Sequence, residues 1–330
     1  MPQDQEKIAA VVVTYNRKDL LGQCLDSLLS QSRPLDALYV IDNHSTDGTY
    51  DYLLARSLIA PIEHPDGGPV ETTETIAREN TASSPEIHYV RTPENTGGAG
   101  GFHEGMKRAT EAGFDWLWLM DDDLLTAPDA MERLVQRRND LESRGHKSFL
   151  LNSLVLERGQ SDGDKLAFPL QELAAGGTPK RGRYHWRLSE VRSQVKDGLY
   201  PWACPFNGTF VPARAVLEVG LPNPAFFLWG DEKDWLWRAA RRFRLYTAVD
   251  SQVFHPLARD LGFDWRQYYN IRNMMIVNRY FKLAALRNLK LILRSLVKGL
   301  RHGPSGLRLV LRAIRDGWLG RLGKREDLHS

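Results

Sequence analysis

Three consecutive carboxylates, Asp121-Asp122-Asp123, follow directly on the apolar run Trp116-Leu117-Trp118-Leu119-Met120. Adjacent carboxylates repel, so three at the end of a buried strand need a compensating cation or full exposure. The carboxyl ends of parallel strands are where α/β proteins hold their ligands. A divalent cation bridging carboxylate and diphosphate oxygens would relieve the repulsion, and Mn2+ and Mg2+ both favour oxygen donors. The competing reading is an exposed acidic turn ahead of the helix that begins near Pro128.

Other chemistry-bearing residues lie at similar boundaries. The run Asn95-Thr96-Gly97-Gly98-Ala99-Gly100-Gly101 lets backbone approach a phosphate or sugar, and a following helix would offer its N-terminus to an anion. A tight turn with close helix packing would use the same glycines. A dinucleotide fingerprint belongs after the first strand, with an acid about twenty residues later. Here the first strand ends at Thr14-Tyr15-Asn16-Arg17, which argues against a dehydrogenase. Asp42, at the tip of the second strand, suits a base N–H or a ribose hydroxyl, and equally a turn or helix cap. Asp231-Glu232 follows Phe226-Phe227-Leu228-Trp229-Gly230. Sugar transfer to a hydroxyl needs a proton acceptor, and these aromatics would face a sugar ring. A helix start also favours acids through its dipole. His255 ends an apolar stretch; a lone histidine is more often structural, and only the aspartates raise it to a candidate ligand.

The elements needed to position these residues are legible. Apolar residues 8–13 form a first strand, and Leu20, Leu21, Cys24, Leu25, Leu28 and Leu29 recur at helical spacing. Leu38-Tyr39-Val40-Ile41 is the next strand, followed by the helical Tyr50-Asp51-Tyr52-Leu53-Leu54. This rhythm predicts an α/β fold with a mostly parallel, Rossmann-like sheet. Residues 61–85 read mainly as a long surface loop. His88-Tyr89-Val90-Arg91 resumes the sheet, and a helix runs through Met106 and Ala109. After Arg144 the rhythm breaks. Residues 155–200 are mixed and rich in turn formers, and include the basic aromatic stretch Lys180-Arg181-Gly182-Arg183-Tyr184-His185-Trp186-Arg187. From about Asp264 the chain reads as helical and basic.

With 330 residues, 42% hydrophobic and 26% charged, the chain has an ordinary globular composition and a net charge of +3. Cys24 and Cys204 have no metal-ligand spacing and read as thiols in a reducing compartment. No signal sequence or membrane span is evident, so a cytoplasmic location is expected. From Lys282 to Arg325 there are twelve Lys or Arg residues and one acid, Asp316, among regularly spaced leucines. Such a basic amphipathic region predicts an anionic membrane surface, or a helical bundle with a solvated basic face. It carries no base-reading motif, so nucleic acid is not expected as a partner.

Taken in order, these motifs resemble the family 2 glycosyltransferases of the GT-A fold. They are Val11-Val12-Val13-Thr14-Tyr15-Asn16-Arg17, Val40-Ile41-Asp42-Asn43 with Ser45-Thr46-Asp47-Gly48-Thr49, and Asn95 to Phe102. Leu119-Met120-Asp121-Asp122-Asp123, Phe206-Asn207-Gly208 and Gly230-Asp231-Glu232 complete them. The glycine run, Leu166-Ala167-Phe168-Pro169-Leu170 and the Gly-Asp-Glu segment most resemble bacterial galactofuranosyltransferases, with rhamnosyltransferases next.

The resemblance implies a catalytic domain over 1–262, with a donor half at about 1–125 and an acceptor half at about 126–262. A basic helical region over 263–330 follows. It implies that Thr14, Asn16, Arg17 and Asp42 hold the uridine, while Asn95, Gly97 and Gly98 approach the diphosphate-sugar and Asp121 and Asp122 contact the donor. Asp121, Asp123 and His255 would ligate Mn2+ or Mg2+, and Trp202, Asn207, Gly208 and Trp229 would face the acceptor. Glu232 matches the base; many members carry Asp there, which leaves Asp231 as its substitute. The implied reaction is inverting transfer, from UDP-galactofuranose to a lipid-linked or polysaccharide acceptor of the bacterial envelope, at the inner face of the membrane. A rhamnosyltransferase using dTDP-rhamnose shares nearly all these motifs. A non-catalytic nucleotide-sugar-binding scaffold is the alternative of another class, and the intact acids and histidine argue against it. A homo-oligomer is left open.

Overall fold

The computed structural model of the chain describes residues 6–61, 73–76, 85–159, 163–174, 179–204, 206–256 and 262–328. The strands are β1 (Ile8–Thr14), β2 (Ala37–Asp42), β3 (Thr73–Ile76), β4 (Glu86–Arg91), β5 (Trp116–Asp121), β6 (Leu125–Thr126), β7 (Phe149–Glu157), β8 (Lys165–Leu173), β9 (Pro179–Arg187), β10 (Leu199–Tyr200), β11 (Thr209–Pro212) and β12 (Arg244–His255). The helices are α1 (Lys18–Leu29), α2 (Thr49–Ala55), α3 (Gly97–Glu111), α4 (Ala130–Ser143), α5 (Leu188–Val191), α6 (Ala213–Val219), α7 (Asp231–Ala239), α8 (Arg266–Val277), α9 (Ala284–Arg301) and α10 (Gly303–Leu319).

The main sheet runs in the order β10-β12-β7-β11-β5-β1-β2-β4-β3. Its centre is parallel, β1 pairing with β2 and β5, and β2 with β4. Every residue of β1 and β2 is buried, which explains their unbroken apolar character. Helix α1 buries Leu21, Cys24, Leu25 and Leu28 in the same core, and each such leucine contributes roughly 1.5–3 kcal/mol. Register sets the site: Thr14 lies opposite Asp42, and Val13 opposite Asp121. The polar ends of three apolar strands therefore share one edge of the sheet.

Beyond β5 the sheet becomes mixed. Strand β11 is antiparallel to β5 and β7, and β12 runs parallel to β7 with a register shift between Ala248 and Gln252. The two-residue β6, just after the aspartates, pairs with the far end of β12 through Phe254 and Leu125. That short ladder delivers His255 to the acidic cluster.

Two expectations need correction. The stretch read as mixed between 155 and 200 forms the antiparallel pair β8–β9, whose register shifts interrupt the alternation that would have marked it as strand. Within 61–85, read mainly as loop, β3 adds an antiparallel strand to β4; most of the remainder lies outside the described residues.

The chain forms two compact units. The first comprises Met1–Asn95, Glu104–Leu221 and Ala239–Ala258; the second comprises Thr96–His103, Pro222–Arg238 and Arg259–Ser330. Phe227 packs with Tyr268, Tyr269, Val310 and Ala313, while Ala99 and Phe226 pack with Val277. Ala99 of the glycine run and the aromatic segment thus pack against the C-terminal helices in two clusters. Helices α9 and α10 approach closely at Gly299, where a Cβ would lie 2.9 Å from Val310 Cγ2. The other face of α9 exposes Leu286, Leu289, Leu293, Val297 and Leu300. Among the described residues no helix is long and apolar enough to cross a membrane.

Helix α3 packs on the sheet through Gly105, where a Cβ would come 2.3 Å from Val11 Cγ1. Gly105→Val is expected to destabilise the fold by roughly 1–3 kcal/mol, seen as a lower urea midpoint; an unchanged midpoint would contradict this packing.

Candidate active site

The three aspartates have different surroundings within the first unit. Asp122 is buried, accepting from Thr14 Oγ1 at 2.7 Å and from Arg17 Nη1 at 3.2 Å. Both its oxygens are engaged by protein. Arg17 Nη1 also donates to Asp123 Oδ2 at 2.9 Å, so one guanidinium spans two carboxylates. Burial, with repulsion from Asp123 and Asp122, pushes the Asp121 carboxyl up to about 8. Burial also raises Asp122, to about 6, against the pull of Arg17 and the Thr14 hydroxyl. For Asp123 burial acts upward too, but His255 and Arg17 outweigh it and its pKa falls below the ordinary range.

His255 Nδ1 lies 2.5 Å from the Pro256 carbonyl oxygen, which can only accept, so Nδ1 carries a proton. Its Nε2 faces Asp123 Oδ1 at 3.2 Å. That oxygen is buried and accepts no hydrogen bond of good geometry. Burial disfavours the imidazolium, yet Asp123 outweighs it and raises the pKa of His255. An orphaned carboxylate oxygen facing an imidazole nitrogen, with the proton fixed on the other nitrogen, is a donor pair suited to a divalent cation. Among the described residues no three His, Cys, Asp or Glu side chains already form a metal cage. The arrangement is therefore a two-residue seat, with Asp121 two positions away.

The remaining residues of this unit form the surroundings. Asn16 has φ 54°, and its Oδ1 accepts from Thr46 N at 2.7 Å, tying the β1 loop to the β2 loop. Asp42 is fully buried, accepting from Ser45 N at 2.8 Å and from Tyr89 Oη at 2.5 Å. Gly208 N donates to Leu119 O at 2.9 Å, so the Asn207-Gly208 turn sits beside the end of β5. Asn207 Oδ1 is buried without a hydrogen-bond partner. Trp202 packs at the edge of the cluster around Leu154, Leu170 and Tyr200, and Asn95 ends this unit's first segment.

In the second unit, Gly97 has φ +70°, and a Cβ there would lie 1.9 Å from Phe227 O. Gly98 has open space where its Cβ would be. Phe227 and Trp229 hold φ of 65° and 59°, conformations that cost non-glycine residues roughly 1–3 kcal/mol each. They lead into α7, whose Glu232 Oε2 accepts from Gly230 N at 2.6 Å. Of the acid pair, Asp231 is 4% exposed while the Glu232 side chain is 21% exposed, so Glu232 is the one that solvent or substrate can reach.

The family profile described as "Glycosyl transferase family 2" matches residues 9–143, which run from β1 through the aspartates into α4. The galactofuranosyltransferase GlfT1 of Mycobacterium tuberculosis is 34% identical over 258 residues, covering 77% of this chain and 72% of that protein. The chain belongs to glycosyltransferase family 2. GlfT1 of Mycolicibacterium smegmatis is 32% identical with the same coverages. Among solved structures, S. aureus TarS bound to UDP-GlcNAc matches with a TM-score of 0.56 at 13% identity, over 94% of this chain and 80% of that one. The mannosyltransferase PcManGT from Pyrobaculum calidifontis, bound to GDP-Man and Mn2+, matches at 0.51 and 16%, over 98% and 78%. These two show that this family 2 glycosyltransferase has the GT-A fold.

Three side chains of the site went unnoticed in the sequence. Tyr89 reads as a strand aromatic, and nothing in its neighbourhood marks it as a partner for Asp42. Arg272 and Asn273 lie some forty residues past Glu232, and only their polarity just ahead of the apolar run Met274-Met275-Ile276-Val277 hints at a buried role.

Raised carboxyl pKa values fix the sign of a pH effect. A carboxyl that holds its proton more tightly folded than unfolded loses stability as pH rises from roughly 4 towards its folded value. Without divalent cation, Asp121→Asn should therefore raise the melting temperature more at about pH 8 than at about pH 5.5. Equal shifts at both pH values would contradict the electrostatic picture.

Proposed function

We propose that this family 2 glycosyltransferase catalyses inverting transfer of galactofuranose from UDP-galactofuranose to a lipid-linked or polysaccharide acceptor of the bacterial envelope. The observation that carries the catalytic reading is the Asp123–His255 pair at the end of β5, an orphaned buried oxygen facing an imidazole nitrogen. The donor sugar rests on the likeness to GlfT1.

Asp121, Asp123 and His255 would hold Mn2+ or Mg2+, which when bound offsets the charge of the departing nucleoside diphosphate. Thr14 and Arg17 act by fixing the aspartates. The loops tied together by Asn16 and Asp42 receive the nucleoside, and Asn95, Gly97 and Gly98 give backbone access to the diphosphate-sugar. Trp202, Asn207, Gly208 and Trp229 meet the acceptor. Glu232 takes the acceptor hydroxyl's proton as that oxygen attacks the anomeric carbon. The bond to the diphosphate breaks on the opposite face, inverting the centre.

Alanine at Asp123 or Glu232 is expected to lower transfer by at least about 10³-fold, with circular dichroism unchanged. Near-full activity in either variant would sink the assignment. Product analysis with UDP-galactofuranose and dTDP-rhamnose decides the donor: a galactofuranosylated product from the first alone is expected, and a rhamnosylated product would overturn it.

Helix α9, whose leucine face is exposed, also exposes Lys290, Arg294 and Lys298. We propose that it rests on the anionic inner face of the membrane, where the lipid acceptor resides. Reversing these three charges to Glu should weaken co-sedimentation with anionic vesicles by about 10²-fold or more. Equal binding to neutral vesicles would contradict the proposal.

A further inference from the structure

The segment ahead of Glu232 turns through left-handed conformations at Phe227, Trp229 and Gly230. Within the segment Leu228 N donates to Phe226 O at 2.8 Å. The carbonyls of Phe226, Leu228 and Trp229 are also met by two adjacent side chains of α8, both with no exposed surface. Asn273 Nδ2 lies 3.1 Å from Phe226 O, 2.9 Å from Leu228 O and 2.6 Å from Trp229 O. Arg272 Nη2 donates to the same Phe226 O at 2.9 Å, and Nη1 to Gly323 O at 2.6 Å.

The orientation of the Asn273 amide is set by chemistry. Arg272 Nε can only donate, and it lies 2.8 Å from Asn273 Oδ1. The oxygen therefore faces the guanidinium, and both N–H groups face the loop carbonyls. The guanidinium is further enclosed by the rings of Tyr268 and Tyr269, 5.3 and 4.9 Å from its centre. From the other side, Ala99 N donates to Phe227 O at 3.2 Å. A buried cation this fully engaged has little freedom, and it passes that rigidity to the loop through Asn273.

We propose that Arg272 and Asn273 are positioning residues for the transfer reaction. They fix the backbone of residues 226–230, and so the Gly230 N–H that holds Glu232 Oε2. This rests on the reading of Glu232 as the base. The clamp acts on the proton-accepting step and leaves nucleotide binding in the first unit untouched. Because a misplacement near 1 Å costs about 10²-fold in rate, its loss is felt in kcat.

The test uses the full-length chain and the isosteric Asn273→Asp, which keeps an acceptor for Arg272 and removes both donors to the loop. Expected is a folded protein with faster amide hydrogen exchange at 226–232, little change elsewhere, and a kcat lower by about 10²-fold. The donor KM should stay within about threefold. Arg272→Lys, which loses the fork but keeps the charge, carries the test if Asn273→Asp does not fold. Wild-type exchange at 226–232 together with near-wild-type kcat in the folded variant would overturn the clamp. Glu232→Gln separates the two readings: if it keeps full activity while Asn273→Asp loosens the loop, the base assignment falls and the clamp stands.

Discussion

Mutual repulsion among Asp121, Asp122 and Asp123 is the constraint around which the first unit is arranged. Three carboxylates on successive residues of a buried strand end would separate or become protonated unless something opposes them. The protein divides the task. Asp122 is anchored by Thr14 and Arg17, so it serves the architecture. Asp123 meets Arg17 through one oxygen and faces His255 through the other. Asp121 carries the remaining strain as a raised pKa. Its raised pKa means that it takes up a proton more readily, and a bound cation would relieve the same repulsion.

Holding that balance requires several distant segments. Arg17 and Thr14 come from the end of β1, whose register against β5 is set by an unbroken apolar ladder. His255 arrives at the end of β12, steered by two residues of β6. The second unit solves a different problem, a strained turn ahead of an acid, with neutral carbonyls met by a buried amide and guanidinium. An exposed ion pair would contribute under about 1 kcal/mol there. Buried donors are stronger anchors because a carbonyl left unpaired costs about 1–3 kcal/mol.

How much of this could be read from the sequence depended on the range of the interaction. The central parallel strands were legible because burial on both faces leaves continuous apolar runs, and polar residues at their ends mark the ligand edge. The aspartates, the acid pair and His255 stood out through residue type and order alone. The β8–β9 pair did not, because its register shifts break the period-two pattern. Nor did the packing of Phe226, Phe227 and Ala99 against the C-terminal helices, which joins residues far apart in sequence. Arg272 and Asn273 were missed for the same reason: their partners are backbone carbonyls, which leave no trace in side-chain identity. Asp42 was correctly placed at a strand tip, yet its engagement by Tyr89 and Ser45 was not foreseeable.

The central claim, that the aspartates and His255 form a cation-dependent nucleotide site, is tested most directly by calorimetric titration with UDP, with Mn2+ and with chelator. Saturable binding that depends on Mn2+ and disappears on chelation, or in His255→Ala, is the predicted result. Equally tight UDP binding without any divalent cation would contradict it.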